Sequence, residues 1–195
     1  MSMLEQQLNQ RQTNGQPAQT QIKQPGIEEQ MNPRPIYDNP SYIGSGKLTG
    51  KTAIITGGDS GIGRAVALAF AKEGANVSIV YFDEHEDAKL TKQIVEAQGV
   101  KALVISGDVG NEQFCHQAVQ QTFDAFARLD ILVNNAAEQH YQESIENISA
   151  NQLHRTFQTN IYSQFYFVQA ARPYLKQGSS IINTASIVAY KGSRY

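Results

Sequence analysis

The chain has 195 residues, 41% of them hydrophobic, enough for one domain with a real core plus an appendage. A formal net charge of -2 supplies no basic field for a nucleic-acid backbone or an anionic membrane, so a small uncharged partner is expected. The single cysteine, Cys115, can form neither an internal disulfide nor a cysteine-based metal cluster and fits a reducing cytosol.

The first residues, MSMLEQQLNQRQTNGQ, lack the positive start and apolar run of a signal peptide, and no apolar stretch reaches the roughly 18 residues of a membrane span. The expected location is the cytoplasm. Residues 1–46 are rich in Gln and Asn and hold five of the six prolines: Pro17, Pro25, Pro33, Pro35 and Pro40. Without a periodic apolar face they cannot offset the entropy of ordering themselves, so 1 to about 30 reads as disordered. In MNPRPIYDNPSYIGSG, Ile36, Tyr37, Tyr42 and Ile43 lie between prolines. This stretch either lies extended on the globular body or on a neighbouring subunit, or is a plain linker.

From Lys47 onward, short apolar runs alternate with amphipathic segments, the pattern of repeated strand–helix units and a parallel sheet. Strands are predicted at 52–56, 76–82, 101–106, 130–134 and 179–183. The first helix carries Ile62, Val66, Ala69 and Phe70 on one face and ends at Gly74. Helices follow at 86–98 and 112–127, and a longer helical region at 149–177 is interrupted around Asn160. Right-handed crossovers place the helices on both faces, which predicts an α/β, Rossmann-like, doubly wound three-layer domain over 47–195 with five parallel strands.

Directly after the first strand comes Thr56-Gly57-Gly58-Asp59-Ser60-Gly61-Ile62-Gly63-Arg64, with the helix starting inside it. Glycines there permit a tight turn and close helix–strand packing, and free amides at the helix start face an anion, so the expected ligand carries a diphosphate. The competing motif GxxxxGK[ST] fits from Gly58 to Gly63 and then fails: Arg64 stands in place of the lysine and Ala65 in place of the hydroxyl residue. A nucleoside triphosphate hydrolase is not expected on that ground.

The motif TGGDSGIG resembles that of the short-chain dehydrogenase/reductase family, as do Asn134-Asn135-Ala136-Ala137 after the fourth strand and Asp108-Val109 after the third. NPRPIYDNPSYIGSGKL together with YFDEHED is closest to the bacterial subfamily of general stress proteins and aldehyde reductases with an N-terminal extension. The resemblance implies a cofactor site at Gly57, Asp59, Ser60, Gly61, Ile62 and Gly63, an adenine contact at Asp108 and Val109, and a cofactor border at Asn134 and Ala136. A carboxylate near the end of the second strand would bind ribose hydroxyls and repel a 2′-phosphate. Asp83 stands about 20 residues after Gly63, whereas the family pattern puts the discriminating position nearer Tyr81, and both readings stay open. With Asp83, Glu84, Glu86 and Asp87 nearby and no basic residue before Lys89, the cofactor expectation is NAD or NADP with a lean to NAD.

The family transfers a hydride between nicotinamide and a carbonyl or alcohol, with an asparagine, a serine, a tyrosine and a lysine at the reacting centre. By motif the resemblance carries Asn160, in FQTNIY, and Ser186, in IINTAS, as catalytic residues. The tyrosine–lysine pair, YxxxK, is expected about 12 or 13 residues after Ser186, past the last residue, Tyr195. Neither Tyr190, with Gly192 between it and Arg194, nor Tyr195 qualifies as the general acid. The chain is therefore expected to be truncated before that pair and to have low or no activity by itself. A catalytically inactive nucleotide-binding fragment, or an interaction partner of a complete homologue, is the alternative. His85, His116, His140 and His154 show no metal-ligand spacing, so no metal is expected. Tyr162, Phe165, Tyr166 and Phe167 on the long helix are assigned to core and subunit contact, since the family forms dimers or tetramers there.

Overall fold

The structure, a computed structural model, describes residues 21, 26–187 and 190. Five strands, β1 (Thr52–Thr56), β2 (Asn76–Tyr81), β3 (Ala102–Ser106), β4 (Ile131–Asn134) and β5 (Ser180–Asn183), form one parallel sheet in the order β3-β2-β1-β4-β5. They alternate with helices α1 (Gly61–Lys72), α2 (His85–Glu96) and α3 (Glu112–Phe126). The fourth crossover holds α4 (Ala150–Phe157), a π-helical turn at Gln158–Tyr162 and α5 (Ser163–Ala171). The sequence-predicted doubly wound α/β fold is the one observed, and the interruption expected around Asn160 is this π turn. Chain direction across the sheet reverses between β1 and β4, the switch point where open α/β sheets leave a crevice beyond the strand ends.

Alternation along the strands divides two apolar layers. Ile54, Val80, Ile105 and Leu132 point to one face and meet Cys115, Ala118 and Val119 of α3 and Phe167, Ala170 and Ala171 of α5. Ala53, Ile55, Val77, Ile79 and Val133 point to the other face and meet Ala67 and Ala71 of α1 and Val95 of α2. Each large side chain so buried contributes about 1.5–3 kcal/mol relative to exposure. Phe167 lies in the core and Tyr166 packs against it, whereas Phe165 is 66% exposed. The sheet edge at β5 leaves Ile181 and Ile182 each more than two-fifths exposed.

Local signals set the helix ends. The Asn111 side chain accepts a bond from Phe114 N and caps α3, and Ser149 does the same for α4 through Gln152 N. Glu28–Gln30 form a short 3-10 turn in which Glu28 is buried, its carboxylate finding partners on α1. From there residues 31–47 run along α1 to its far end, where Ser45 N and Lys47 N donate to Glu73 Oε2 and Tyr42 Oη donates to Glu73 Oε1. The extended stretch lies along the globular body of its own chain.

Candidate functional site

β1 ends at Thr56, and the chain turns through Gly57 at φ +61° to begin α1 at Gly61. A Cβ on Gly63 would stand 1.8 Å from Gly57 O, so only glycine lets the first turn of α1 lie directly over the strand end. Ser60 at the N-cap places no side chain over the first-turn amides, and Gly61, Ile62 and Gly63 line the adjoining cleft. That leaves the positive end of the helix dipole facing the cleft.

The turn is laced to the segment after β4. The Thr56 hydroxyl accepts from Asn135 N (2.9 Å) and Ala136 N (3.0 Å) and reaches Val133 O at 3.4 Å. Asn135 Nδ2 donates in return to Thr56 O (3.2 Å) and Gly57 O (3.1 Å). Asn134 turns the other way and donates to Asn183 Oδ1 at 2.9 Å, bracing β4 against β5. Asn134 therefore holds the sheet together while Asn135 and Ala136 form the cleft wall.

The cleft has a volume of about 350 Å³ and runs along the C-terminal ends of β1 to β4. Asp59, Glu84, Asp108 and Glu138 bring carboxylates to its wall, against the single basic side chain of Arg155 among the lining residues. Burial pushes the Asp59 carboxyl above its usual range. Burial, with the neighbouring Asp83 carboxylate, raises Glu84 to about 7. Arg155 Nη1 donates to Asp108 Oδ2 (2.5 Å) and Nε to Glu138 Oε1 (3.0 Å), and its guanidinium lies 5.9 Å from the centre of the Phe82 ring. Partial burial pulls the Arg155 pKa down, but the two carboxylates outweigh it and the net shift is upward.

Of the sequence-nominated residues, Gly57, Asp59, Ser60, Gly61, Ile62, Gly63, Asp108, Val109 and Ala136 line this cleft, and Asp83, Asn134, Asn160 and Ser186 do not. Asp83 is exposed where the chain bends away after β2, and the carboxylate in the wall is Glu84, with Tyr81 and Phe82 beside it. Asn160 sits in the π turn and pins the wall from behind: its Oδ1 accepts from Glu138 N (2.9 Å) and its Nδ2 donates to Glu138 O (2.8 Å). Ser186 is exposed on the segment leaving β5. Tyr190 is 90% exposed, and Tyr195 lies outside the described residues.

Sequence reasoning did not find Arg155, Glu138 or Thr159. Arg155 meets Asp108 and Glu138 across 47 and 17 residues of chain, and no local pattern announces such a contact. Glu28 was likewise passed over, although a buried arginine in GIGR implies a carboxylate somewhere to receive it. Among the described residues there is no group of three His, Cys, Asp or Glu side chains that could hold a metal ion, and no helix long and apolar enough to cross a membrane.

A family model described as enoyl-(acyl carrier protein) reductase matches residues 57–195. The oxidoreductase YhdF of Bacillus subtilis is 62% identical over 182 residues, which cover 93% of this chain and 63% of that protein. General stress protein 39 of the same organism is 62% identical over 177 residues, covering 91% and 62%. The chain thus spans less than two thirds of the length of these relatives. A short-chain dehydrogenase of Burkholderia cenocepacia, solved in complex with NADP, superposes with a TM-score of 0.73 at 34% identity, over 75% of this chain and 60% of that one. The glycine turn, the laced segment after β4 and these likenesses agree: the chain belongs to the short-chain dehydrogenase/reductase family of NAD(P)-dependent oxidoreductases.

Proposed function

We propose that the chain binds a nicotinamide dinucleotide along the C-terminal ends of β1 to β4, with NAD preferred over NADP, and serves hydride transfer between the nicotinamide and a carbonyl or alcohol such as an aldehyde or ketone. The observation that carries this reading is the Gly57–Gly63 turn. Its packing excludes any side chain at Gly63, and it presents the start of α1 to an open cleft. The residues fit the ligand. First-turn amides suit a diphosphate, Asp108 and the apolar Val109 suit an adenine edge, and Glu84 at the end of β2 suits ribose hydroxyls while opposing a 2′-phosphate. The bound cofactor would supply or accept the hydride, and Ser186 would hold the substrate oxygen. Asn160, tied at both ends of its amide to Glu138, supports the role of fixing the wall and the π turn beside the reacting centre.

Titration with NADH and NADPH, followed by a turnover assay with aldehydes, tests the reading. Tighter binding of NADH with aldehyde-dependent oxidation supports it, and failure of both dinucleotides to bind refutes it. Binding without turnover selects a second reading, a non-catalytic dinucleotide-binding protein. This alternative is favoured by the cleft itself, where the one lining tyrosine among the described residues, Tyr81, has its hydroxyl on His85 Nδ1 at 2.9 Å.

We also place self-association on the fourth crossover and the function in the cytoplasm. Leu153, Phe157, Ile161 and Phe165 recur every fourth residue and are between 43% and 66% exposed, a continuous apolar stripe suited to a second copy. A dimer in sedimentation that dissociates on Phe165→Glu is the expected result.

A further inference from the structure

Glu28 belongs to the N-terminal arm and does not line the cleft, yet both of its carboxylate oxygens engage the glycine turn. Oε2 accepts from Gly61 N at 2.6 Å, and Oε1 accepts from Arg64 Nη1. Glu28 is 6% and Arg64 1% exposed, so this pair is sealed behind the turn rather than laid on its surface. Arg64 is held from every other side. Asp87 Oδ1 accepts from Nη2 at 2.9 Å, Thr91 Oγ1 and Asp59 O accept from Nε at 2.8 and 3.1 Å, and the Tyr37 ring of the arm lies 5.2 Å from the guanidinium carbon. The arm therefore takes hold of α1 at its N-terminus through Glu28 and Tyr37, and at its C-terminus through the bonds to Glu73 and the Lys72–Asp38 pair at 2.5 Å.

Gly61 is the first residue of α1 and has φ +51°, with nothing within 4 Å of where a Cβ would stand, so no side chain of its own anchors that peptide. A charge-assisted bond from a buried carboxylate does so instead. The peptide that Glu28 orients leads directly into the Ile62 and Gly63 amides at the cleft. We propose that Glu28 is a positioning residue of the dinucleotide site. By holding the Gly61 peptide against the buried Arg64, the N-terminal arm sets the direction of the amides that receive the cofactor diphosphate. The arm is in this sense part of the cofactor site rather than a tether. The inference rests on the dinucleotide reading given above.

The test compares Glu28→Ala, Glu28→Gln and Glu28→Asp in the full 195-residue chain, with calorimetry against NADH, ADP-ribose and adenosine. Glu28→Ala is expected to weaken NADH and ADP-ribose about tenfold, the equivalent of one charge-assisted hydrogen bond, and to leave adenosine, which has no diphosphate, within twofold. Glu28→Gln keeps a carbonyl oxygen for Gly61 N but turns its amide N–H toward the Arg64 guanidinium, so it is expected to lose less NADH affinity than Glu28→Ala without matching the parent. Glu28→Asp keeps the charge beside Arg64 but withdraws the oxygen from Gly61, so it is expected to lose threefold or more and carries the test if the alanine form does not fold. Tyr42→Phe, which loosens the arm at the other end of α1, is expected to lower the melting temperature with NADH affinity unchanged. Three results overturn the inference: unchanged or tighter NADH binding in Glu28→Asp, an equal loss for adenosine and ADP-ribose, or a loss in Tyr42→Phe matching that of the Glu28 variants. If the parent chain binds no dinucleotide, the cofactor reading falls as well. Binding by the parent with no effect at Glu28 removes the present inference alone.

Discussion

Gly63→Ala tests the geometry on which the cofactor site depends. The added Cβ would lie 1.8 Å from Gly57 O, 2.7 Å from Gly57 C and 2.9 Å from Gly58 Cα, all of them backbone atoms. A normal carbon–oxygen contact needs about 3.2 Å, so the first turn of α1 and the end of β1 must separate by more than an ångström, with no flexible side chain to absorb the shift. Overpacking of this kind costs about 1–3 kcal/mol and occasionally more. Here the upper end is expected, about 3 kcal/mol, because Ala67 and Ala71 of the same helix are fully packed against Ile55 and Ile79. The same displacement carries the Ile62 and Gly63 amides out of hydrogen-bond range of a diphosphate, and each charge-assisted bond lost weakens binding at least about tenfold. Urea unfolding followed by circular dichroism should show a lower midpoint at unchanged slope, and calorimetry should show NADH affinity reduced by about a hundredfold for two such bonds. Gly61→Ala is the matched control. Its Cβ would meet nothing within 4 Å, so it should cost only the roughly 1 kcal/mol of a left-handed alanine at φ +51°. A Gly63→Ala protein with parental midpoint and affinity, or one more stable than Gly61→Ala, would refute the reasoning.

Thr56→Val preserves the shape of a buried side chain but strips the acceptor from the Asn135 and Ala136 amides, so it should lower stability by about 2–4 kcal/mol in urea unfolding and weaken NADH binding with it. The Glu84 carboxyl, raised to about 7 by burial and its acidic neighbour, is largely protonated below that pH and ionised above it. The proposed preference for NADH over NADPH should therefore grow between pH 6 and pH 8 in parallel titrations, and Glu84→Gln should flatten that dependence. A carboxyl with a raised folded pKa holds its proton more tightly than the unfolded chain does, so the same group removes stability as pH rises from its ordinary 4.5 toward 7. Ala127 ends α3 at φ 53°, ψ 21°, and Ala127→Gly should raise the unfolding free energy by about 1 kcal/mol, with no gain counting against the strain argument.

Much of this protein is written locally. The short apolar runs TAIIT and NVSIVY, the glycines between them and the helical stretches suffice for a parallel sheet with helices on both sides, although the face of 61–72 that packs is Gly63, Arg64, Ala67, Leu68 and Ala71 rather than the one through Ile62, which is 67% exposed. The glycine turn and the NNAA segment were likewise legible within a few residues. The break at Asn160 was legible too, although its identity as a π turn was not. What the sequence could not decide is which side chains meet across distance. It left Asp83 and the Tyr81 position both open at the end of β2, and in the folded chain Tyr81 and Glu84 line the cleft while Asp83 does not. It offered no partner for Asn160, and tertiary packing set both ends of its amide on the Glu138 backbone, 22 residues away. Among the described residues of the arm, Glu28 is bound to an arginine 36 residues later and Tyr42 to Glu73. Electrostatic and hydrogen-bond partners are chosen by position in space, and that choice was the part left to the folded molecule.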